Sequence, residues 1–549
     1  SATSTGGNIT ITTDKGTTVS GGSGGIVTNS GSGNTSITMN GDVLSGAGSA
    51  IWAQSTTGDI SIDGAGTAGQ TSNPTGAGGG IAVSTTTGAI TVRGSGNTSG
   101  QGGALVNLQI TDSNSYNDIS LMRSGSYTVA NGAAIYANNQ GTGRVVLANL
   151  GAITATGTWD SVGGFPTAAV VAKANGAVII GGAVGLSNAV TSDQAGIYAE
   201  TTGNNIIDIH TVAGGSITAR HGVGLQTLAV DGTTNIDIGA DISGSTQGIS
   251  ARASGTGTIN IDTASGTTIT GSATGILAEA SGGDINIGVV KNGGLLGAVS
   301  GGTGIDARTT GDGQIQIRTS TNGATVSGTS GRGIRTRAQN GTTSIAVGSN
   351  VTGATYGIEA TSTSGFISIS TTAGSTVSGG TNGIVTNSDS GSTNITANSA
   401  VQSAQGYGIN ATSTSGAITI EGTGTISSSN ANNQFGAIYA QTSSGAIRLR
   451  GSGNVSSNGD NAVSLSITDS GSNADIIITR SGTYTAKNGA AIVATNYGAG
   501  AINISGLGTV TATGSWSTND ITGAAIAAIA SGGNINIGGT SGLANNIVS

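Results

Sequence analysis

The sequence predicts an all-β fold, a right-handed parallel β-helix in which short strands stack coil upon coil. Two observations predict it: a strand-forming unit recurs along the whole 549-residue chain, and its apolar residues alternate strictly with polar ones. Period-two alternation places every Ile on one side of a strand and the polar residues on the other. A helical repeat would need a period of about 3.6 residues. The alternation therefore predicts strands that stack their Ile residues into an internal ladder.

The repeating unit has three parts, each as long as one short strand. The first part is Gly-Ile-x-Ala, as at 357–360; the second is Ile-x-Ile, as at 285–287; the third is Thr-Val-Ser-Gly, as at 376–379. First-part positions from Ile26 to Ile526 indicate about 19 coils of three short strands each. With neighbouring strands about 4.8 Å apart, they predict a rod about 90 Å long.

A second, longer repeat is superimposed on the short one. Residues 1–192 match residues 359–549 at an offset of about 357, while residues 193–358 are present once. For example, TTVSGGSGGIVTN at 17–29 returns as STVSGGTNGIVTN at 375–387. We expect one continuous β-helix over 1–549. Because the long repeat stops in mid-block, we interpret the chain as a fragment of a larger repetitive protein, or as one whose ends lie against neighbouring molecules in a fibre.

Composition excludes several classes of protein. The chain has 102 Gly, 2 Pro and no Cys, its charged share is 8%, and its net charge is −8. Disordered chains usually combine high net charge with many Pro residues, and both are missing. The absence of Cys excludes disulfides and thiol chemistry. The 17 Lys and Arg residues are scattered and outnumbered by acids, so nucleic acid is not an expected partner.

The run GI-x-A-x-S/T-x-S/T-G-x-I-x-I resembles the passenger regions of bacterial autotransporter adhesins, which are type V secreted proteins. Its clearest instances are GIEATSTSGFISIS at 357–370 and GINATSTSGAITIEG at 408–422. The resemblance implies secretion through an outer-membrane barrel, exposure at the bacterial cell surface, and adhesion or aggregation. Filamentous haemagglutinin-like proteins of two-partner secretion share the fold and are a close alternative.

Few residues are suited to catalysis. The only histidines are His210 and His221, and their spacing is not that of zinc ligands. We therefore expect no enzymatic activity and no cofactor. One pair remains open, because Asp208 and Asp237 are predicted to stack about 4.8 Å apart on successive coils. That pair is a solvated acidic pair, a Ca²⁺ site, or the two carboxylates of a retaining glycosidase, which lie about 5 Å apart.

Two groups of residues are candidate ligand contacts. Arg332, Arg335 and Arg337, with Arg308 and Arg318 on preceding strands, form the densest basic patch. This patch either binds an acidic polysaccharide or is a solvated surface paired with Asp306 or Asp312. Aromatic residues in the longest turns either contact sugars or proteins, or cover the edge of a coil. These aromatic residues are Trp159, Phe165 and Trp516.

The sequence therefore predicts a non-enzymatic extracellular rod, the shaft of an adhesin that mediates attachment or aggregation. Its expected partners are a protein or glycan on a host or neighbouring cell, and further copies of itself, end to end or side by side. It is expected at the bacterial cell surface, attached to the outer membrane or secreted. Two alternatives remain: the subunit of a self-associating structural fibre, and a β-helical enzyme that acts on polysaccharides.

Overall fold

The computed structural model describes residues 1–72, 79–158, 167–291, 293–321, 325–431, 435–514, 524–539, 542–543 and 545–548. These residues form a right-handed parallel β-helix of about 18 turns, which confirms the predicted fold. They contain no α-helix, and no helix among them is long and apolar enough to cross a membrane. The chain divides into two compact units, Ser1–Ala273 and Thr274–Ser549. One continuous β-helix over 1–549 stays a prediction.

Each coil contributes one strand to each of three faces, and the strands follow the three parts of the sequence unit. Face 1 contains the Gly-Ile-x-Ala strands. In the first unit they are Ala2–Ser4, Ile26–Ser30, Ile51–Ser55, Ile81–Thr85, Gly103–Ile110, Gly132–Asn139, Ala168–Ala174, Ala195–Thr201, Leu225–Ala229 and Gln247–Ala253. In the second unit they are Ala298–Thr309 (which also supplies a face 3 strand), Ile334–Ala338, Tyr356–Ser362, Asn382–Ser388, Ile409–Ser413, Ile438–Thr442, Val463–Ile467, Ile492–Asn496 and Ile526–Ala530.

Face 2 contains the Ile-x-Ile strands. In the first unit they are Ile9–Thr13, Thr35–Met39, Ile60–Asp63, Ile90–Gly94, Ile119–Arg123, Val145–Ala148, Val178–Gly181, Ile207–Thr211, Thr234–Ile238 and Ile259–Thr263. In the second unit they are Ile285–Ile287, Ile315–Thr319, Thr343–Val347, Ile367–Thr371, Thr393–Ala397, Ile418–Glu421, Ile447–Gly451, Ile476–Arg480, Ile502–Ile504 and Ile535–Ile537.

Face 3 contains the shortest strands. In the first unit they are Thr18–Gly21, Asp42–Ser45, Ala68–Gln70, Thr98–Gly100, Tyr127–Ala130, Ile153–Thr156, Ala189–Ser192, Ser216–Ala219 and Asp241–Gly244. In the second unit they are Val326–Gly328, Val351–Gly353, Thr376–Gly379, Ala400–Ser403, Ile426–Ser428, Val455–Ser457, Tyr484–Ala486, Val510–Ala512 and Ile547–Val548. The strand Thr268–Ala280 also runs through a face 3 and a face 1 position.

Inward side chains form ladders of identical or similar residues, and these ladders are the core. On face 1, Ile51 lies opposite Ile26 of the preceding coil and Ile81 of the following coil, in parallel register. All three are buried. Full burial of such a side chain contributes about 1.5–3 kcal/mol. Outward residues of the same strands remain partly or fully exposed, which explains the alternation in the sequence.

Asn and Asp residues at the corners join successive coils through their side chains. Asn34 Oδ1 accepts a hydrogen bond of 2.9 Å from the backbone N–H of Asp59, one coil later. Asp59 Oδ1 in turn accepts one of 2.8 Å from the N–H of Ala89. Asn and Asp suit these corners because their short side chains place an oxygen within hydrogen-bond distance of a backbone N–H on the next coil. These bonds satisfy backbone donors where the strand hydrogen bonds have not yet begun.

Candidate functional site

Arg332, Arg335 and Arg337 lie on one strand of face 1 or just before it, and all three contact carboxylates. The Nε atoms of Arg332 and Arg335 lie 2.9 Å and 3.2 Å from Glu359 Oε2. These two contacts have the distance of ion pairs but not the alignment of hydrogen bonds. Arg337 Nη2 lies 3.1 Å from Asp306 Oδ2. The predicted pairing with Asp306 is therefore confirmed.

The basic patch is smaller than the sequence predicts. Arg308 lies opposite Arg337 on face 1 and belongs to it. Arg318 lies on the face 2 strand Ile315–Thr319, so it does not join the patch. Asp312, the other predicted acidic partner, accepts a hydrogen bond of 2.9 Å from Asn340 Nδ2 instead. Closeness in the sequence predicts a single surface for these arginines. The coil has three faces, however, and Arg318 lies on a different face from Arg308 and Arg337.

Carboxylates neutralise the patch only in part, because it contains four arginines and two carboxylate partners, Glu359 and Asp306. Burial raises the pKa of Asp306, and this effect outweighs the opposite effects of Arg337 and Arg335. The Arg332 guanidinium lies 5.2 Å from the ring centre of Tyr356, within cation–π range. Within the described part of the chain, Arg308 has no carboxylate partner. Together with Arg337 it borders a shallow depression of about 280 Å³, where Arg308 is the unpaired cation that an anionic ligand would meet.

The predicted stacking of Asp208 on Asp237 is wrong. The two strands pair so that Asp208 lies opposite Asn235, and His210 lies opposite Asp237. The register differs by two residues because Thr234 occupies the first inward position of its strand, a position that the sequence pattern assigns to an Ile. Thr is β-branched like Ile and packs in the ladder with little change of shape. The two carboxylates are therefore not the close pair that a retaining glycosidase needs.

His210 lies on the outer side of face 2 beside an acid. Its Nε2 lies 3.7 Å from Asp237 Oδ2, and its Nδ1 lies 3.2 Å from the carbonyl oxygen of Gly182. The first distance is that of a charge contact and exceeds that of a hydrogen bond. Among the residues that the structure describes, no group of three or more His, Cys, Asp or Glu side chains could hold a metal ion. Ca²⁺ binding at Asp208 and Asp237 has no geometric support here.

The aromatic turn residues Trp159, Phe165 and Trp516 lie outside the described residues. Their role in ligand contact stays a prediction.

The largest feature that sequence reasoning missed is a pair of fully buried arginines. Arg123 and Arg480 are both 0% exposed and occupy corresponding inward positions on face 2. Arg480 donates hydrogen bonds of 2.7 Å to the carbonyl oxygens of Gly453 and Gly424, and one of 2.9 Å to that of Gly422. Among the described residues, no carboxylate accepts a hydrogen bond from this guanidinium. Each guanidinium thus joins its own coil to the two coils before it.

A tyrosine and several glycines complete this buried arrangement. Tyr127 Oη donates a 2.7 Å hydrogen bond to the carbonyl oxygen of Arg123, and Tyr484 does the same for Arg480 at 2.8 Å. A Cβ atom at Gly96 would collide with the Arg123 guanidinium. Burial lowers the pKa of both arginines, because it disfavours the charged form. The sequence Arg-Ser-Gly-x-Tyr-Thr occurs at 123–128 and again at 480–485, and its role is therefore structural. Its signal in the sequence is the exact repetition of a charged residue at an inward position.

No known protein family, no curated protein and no solved structure matches this chain.

The two copies of the long repeat can be compared with each other, and they differ mainly on the outside. Inward residues are retained: the isoleucines at 51, 60, 81 and 135 are again isoleucines at 409, 418, 438 and 492. Outward residues are exchanged: Trp52, Ala82 and Val146 correspond to Asn410, Tyr439 and Asn503. Packing constrains the interior of the coil, whereas the outer surface accepts a new set of side chains.

Proposed function

We propose that this chain is the shaft of a non-enzymatic bacterial attachment protein, displayed outside the cell and bound to a protein or glycan on another cell. The observation that supports the proposal is the contrast between the two copies. Most of their inward residues are the same, with exceptions such as Met39, which corresponds to Ala397, whereas several outward side chains differ. A scaffold of this kind holds its fold constant while it presents different surfaces along its length. Solenoids use extended surfaces for binding in this way.

The distribution of charge agrees with this proposal. Charged residues make up only 8% of the chain, and Glu359 and Asp306 compensate part of the positive charge of the face 1 patch. Attachment would then depend on aromatic and hydrogen-bonding side chains repeated over many coils. Weak contacts that repeat along a stiff scaffold give strong overall binding through multivalency.

Retention of coated particles tests the proposal. Microspheres that carry the purified chain are expected to remain on cell monolayers and on glycan-coated surfaces under flow, and albumin-coated microspheres are expected to wash off. Retention should fall when soluble chain is added as a competitor, because it occupies the same receptors. Equal loss of both kinds of microsphere from every surface would contradict the proposal.

Polysaccharide cleavage is the second candidate, and His210 with its neighbour Asp237 is the observation in its favour. A His–Asp contact on an open sheet is a plausible general base. Release of reducing sugar from a polysaccharide panel, abolished by His210→Ala and unaffected by His221→Ala, would establish it. No release from any member of the panel would exclude it.

A further inference from the structure

We infer that the outer side of face 1 binds neutral oligosaccharide chains in a groove beside Trp52. This inference rests on the proposed function, whose ligand class it names. The groove has a volume of about 320 Å³. The outer side chains that line it are Trp52, Gln54, Ala82, Ser84, Asn107, Gln109 and Thr111. These side chains comprise one large aromatic ring, amides, hydroxyls and a methyl group, with no ionisable group among them.

Trp52 provides the apolar platform of this groove. It points outward from the strand Ile51–Ser55 and is 40% exposed. Its neighbours in the same column are Val27 on the preceding coil and Ala82 on the following one. Because Ala82 is small, part of the indole stays open toward the following coil. The negative face of an aromatic ring attracts the weakly positive C–H groups of a sugar ring, and the apolar contact is large.

Amide groups on the other side of the groove provide the polar contacts. Gln109 Nε2 donates a hydrogen bond of 2.8 Å to Asn107 Oδ1. The pair leaves the amide NH2 group of Asn107 and the Oε1 acceptor of Gln109 without a partner among the residues described. A sugar hydroxyl both donates and accepts, so it can bind to the two groups at once. The hydrogen bond within the pair holds both amides in place before the ligand arrives, which lowers the entropy cost of binding.

The lack of charge identifies the kind of sugar. An acidic polysaccharide would leave its carboxylates or sulfates without a cation in this groove, and burying an unpaired charge is costly. A neutral chain has no such cost. The groove is thus suited to a neutral ligand, whereas the arginine patch is suited to an anionic one.

The second copy of the long repeat contains the same types of side chain in exchanged positions. Asn410 takes the place of Trp52, and Tyr439 takes the place of Ala82. Asn410 and Tyr439 lie opposite each other on successive coils, so the aromatic ring has moved by one coil in the same column. The ring of Tyr407 lies 5.1 Å from that of Tyr439 and enlarges the apolar surface. The second copy thus keeps an aromatic ring beside amides, Asn410 and Gln441, although Ser464 and Ser466 replace Asn107 and Gln109.

Titration of the whole chain with neutral hexasaccharides of glucose, mannose, galactose and N-acetylglucosamine tests the inference. At least one of them is expected to bind and to change the tryptophan fluorescence, and a uronic acid hexasaccharide is not. Trp52→Ala should weaken binding at its groove by about tenfold or more, as expected for an aromatic anchor. Trp52→Ala combined with Tyr439→Ala should remove binding at both copies.

Phe366→Ala is the matched control, because Phe366 is also 40% exposed but lies beside face 2, away from the groove. It should leave binding unchanged. Asn107→Ala with Gln109→Ala is a second test that does not touch the aromatic ring, and it should also weaken binding. Circular dichroism and the unfolding midpoint of each variant show that the coils are intact.

The inference is overturned if no neutral sugar binds, if the double aromatic variant binds as well as the wild type, or if Phe366→Ala weakens binding equally. The particle assay separates its failure from that of the proposed function. If no neutral sugar binds and particles coated with the wild-type chain still attach, the sugar site is refuted and attachment by a protein contact is left. Sugar binding that depends on Trp52, without any particle retention, would support the site and refute the attachment function.

Discussion

Replacement of Arg123 by Met tests whether a buried guanidinium that donates its hydrogen bonds to backbone carbonyls stabilises three successive coils. Arg123 Nη1 donates hydrogen bonds of 2.9 Å to the carbonyl oxygen of Gly64 and 3.4 Å to that of Arg93, and Nη2 donates to that of Gly66. Met fills the space of the arginine stem but donates nothing. The Gly66 carbonyl would then lose its arginine donor in a buried corner.

The expected loss of folding stability is the balance of opposing effects. A buried carbonyl left without a donor costs about 1–3 kcal/mol, and a hydrogen bond from a charged group contributes about 1.5–3 kcal/mol. Met offsets part of this loss of folding stability, because burial of the arginine cation is itself unfavourable, as the lowered pKa of Arg123 indicates. We expect a net destabilisation of about 2–4 kcal/mol.

Local hydrogen exchange is the appropriate assay, because solenoids do not always unfold in a single step. Amides of residues 60–66 and 90–96 should exchange about thirtyfold faster or more in Arg123→Met. Arg93→Met is the matched control: Arg93 is an exposed arginine one coil away, and its loss should change stability by less than about 0.5 kcal/mol. Arg480→Met, with Arg450→Met as control, should reproduce the result in the second unit. An Arg123→Met chain that exchanges as slowly as the control, or more slowly, would show that the desolvation of the cation outweighs its hydrogen bonds.

Three further predictions concern packing and pH. Gly96→Ala places a methyl group against the Gly66 carbonyl oxygen and the Arg123 guanidinium and should cost about 3 kcal/mol in chemical denaturation, whereas Gly22→Ala, with open space around it, should be neutral. Burial raises the pKa of the Tyr407 hydroxyl to about 12, above its ordinary value of about 10, so the unfolded chain loses this proton first. The contribution of Tyr407 to stability should therefore be constant below about pH 10 and be lost as the pH rises toward 12. Tyr407→Phe should reduce that alkaline slope in unfolding midpoints. The raised pKa of Asp306 means that the folded chain binds this proton more readily than the unfolded one. Its contribution is therefore present at acidic pH and lost as the pH rises through the folded pKa, and Asp306→Asn should flatten this dependence without lowering stability at neutral pH.

The fold class could be predicted in detail because the β-helix is nearly one-dimensional. Each coil contacts mainly its neighbours, so the period-two alternation in a single unit such as 285–287 already fixes which residues face inward. The strand Ile285–Ile287 and its counterparts occur where the Ile-x-Ile pattern predicts them. The duplication was visible for the same reason, since equal coils repeat in the same order.

The candidate sites could be predicted less well, because they depend on register and on the direction of side chains. Asp208 and Asp237 lay on the correct face, but a Thr in the Ile ladder shifted the pairing by two residues. Arg318 was grouped with the arginine patch although it lies on another face. Pattern alone shows the side of a strand on which a residue lies, and it does not show which residue lies opposite it on the next coil.

By itself the sequence determined the β-helix, the approximate number of its coils, its internal ladders and its long repeat, because these follow from alternation and periodicity along the chain. Only the tertiary structure decided that Arg123 and Arg480 are buried, that Glu359 and Asp306 pair with the outer arginines, and that a groove opens beside Trp52. The physical reason is that each of these features joins residues about one or two coils apart, and the stacking of coils sets those distances.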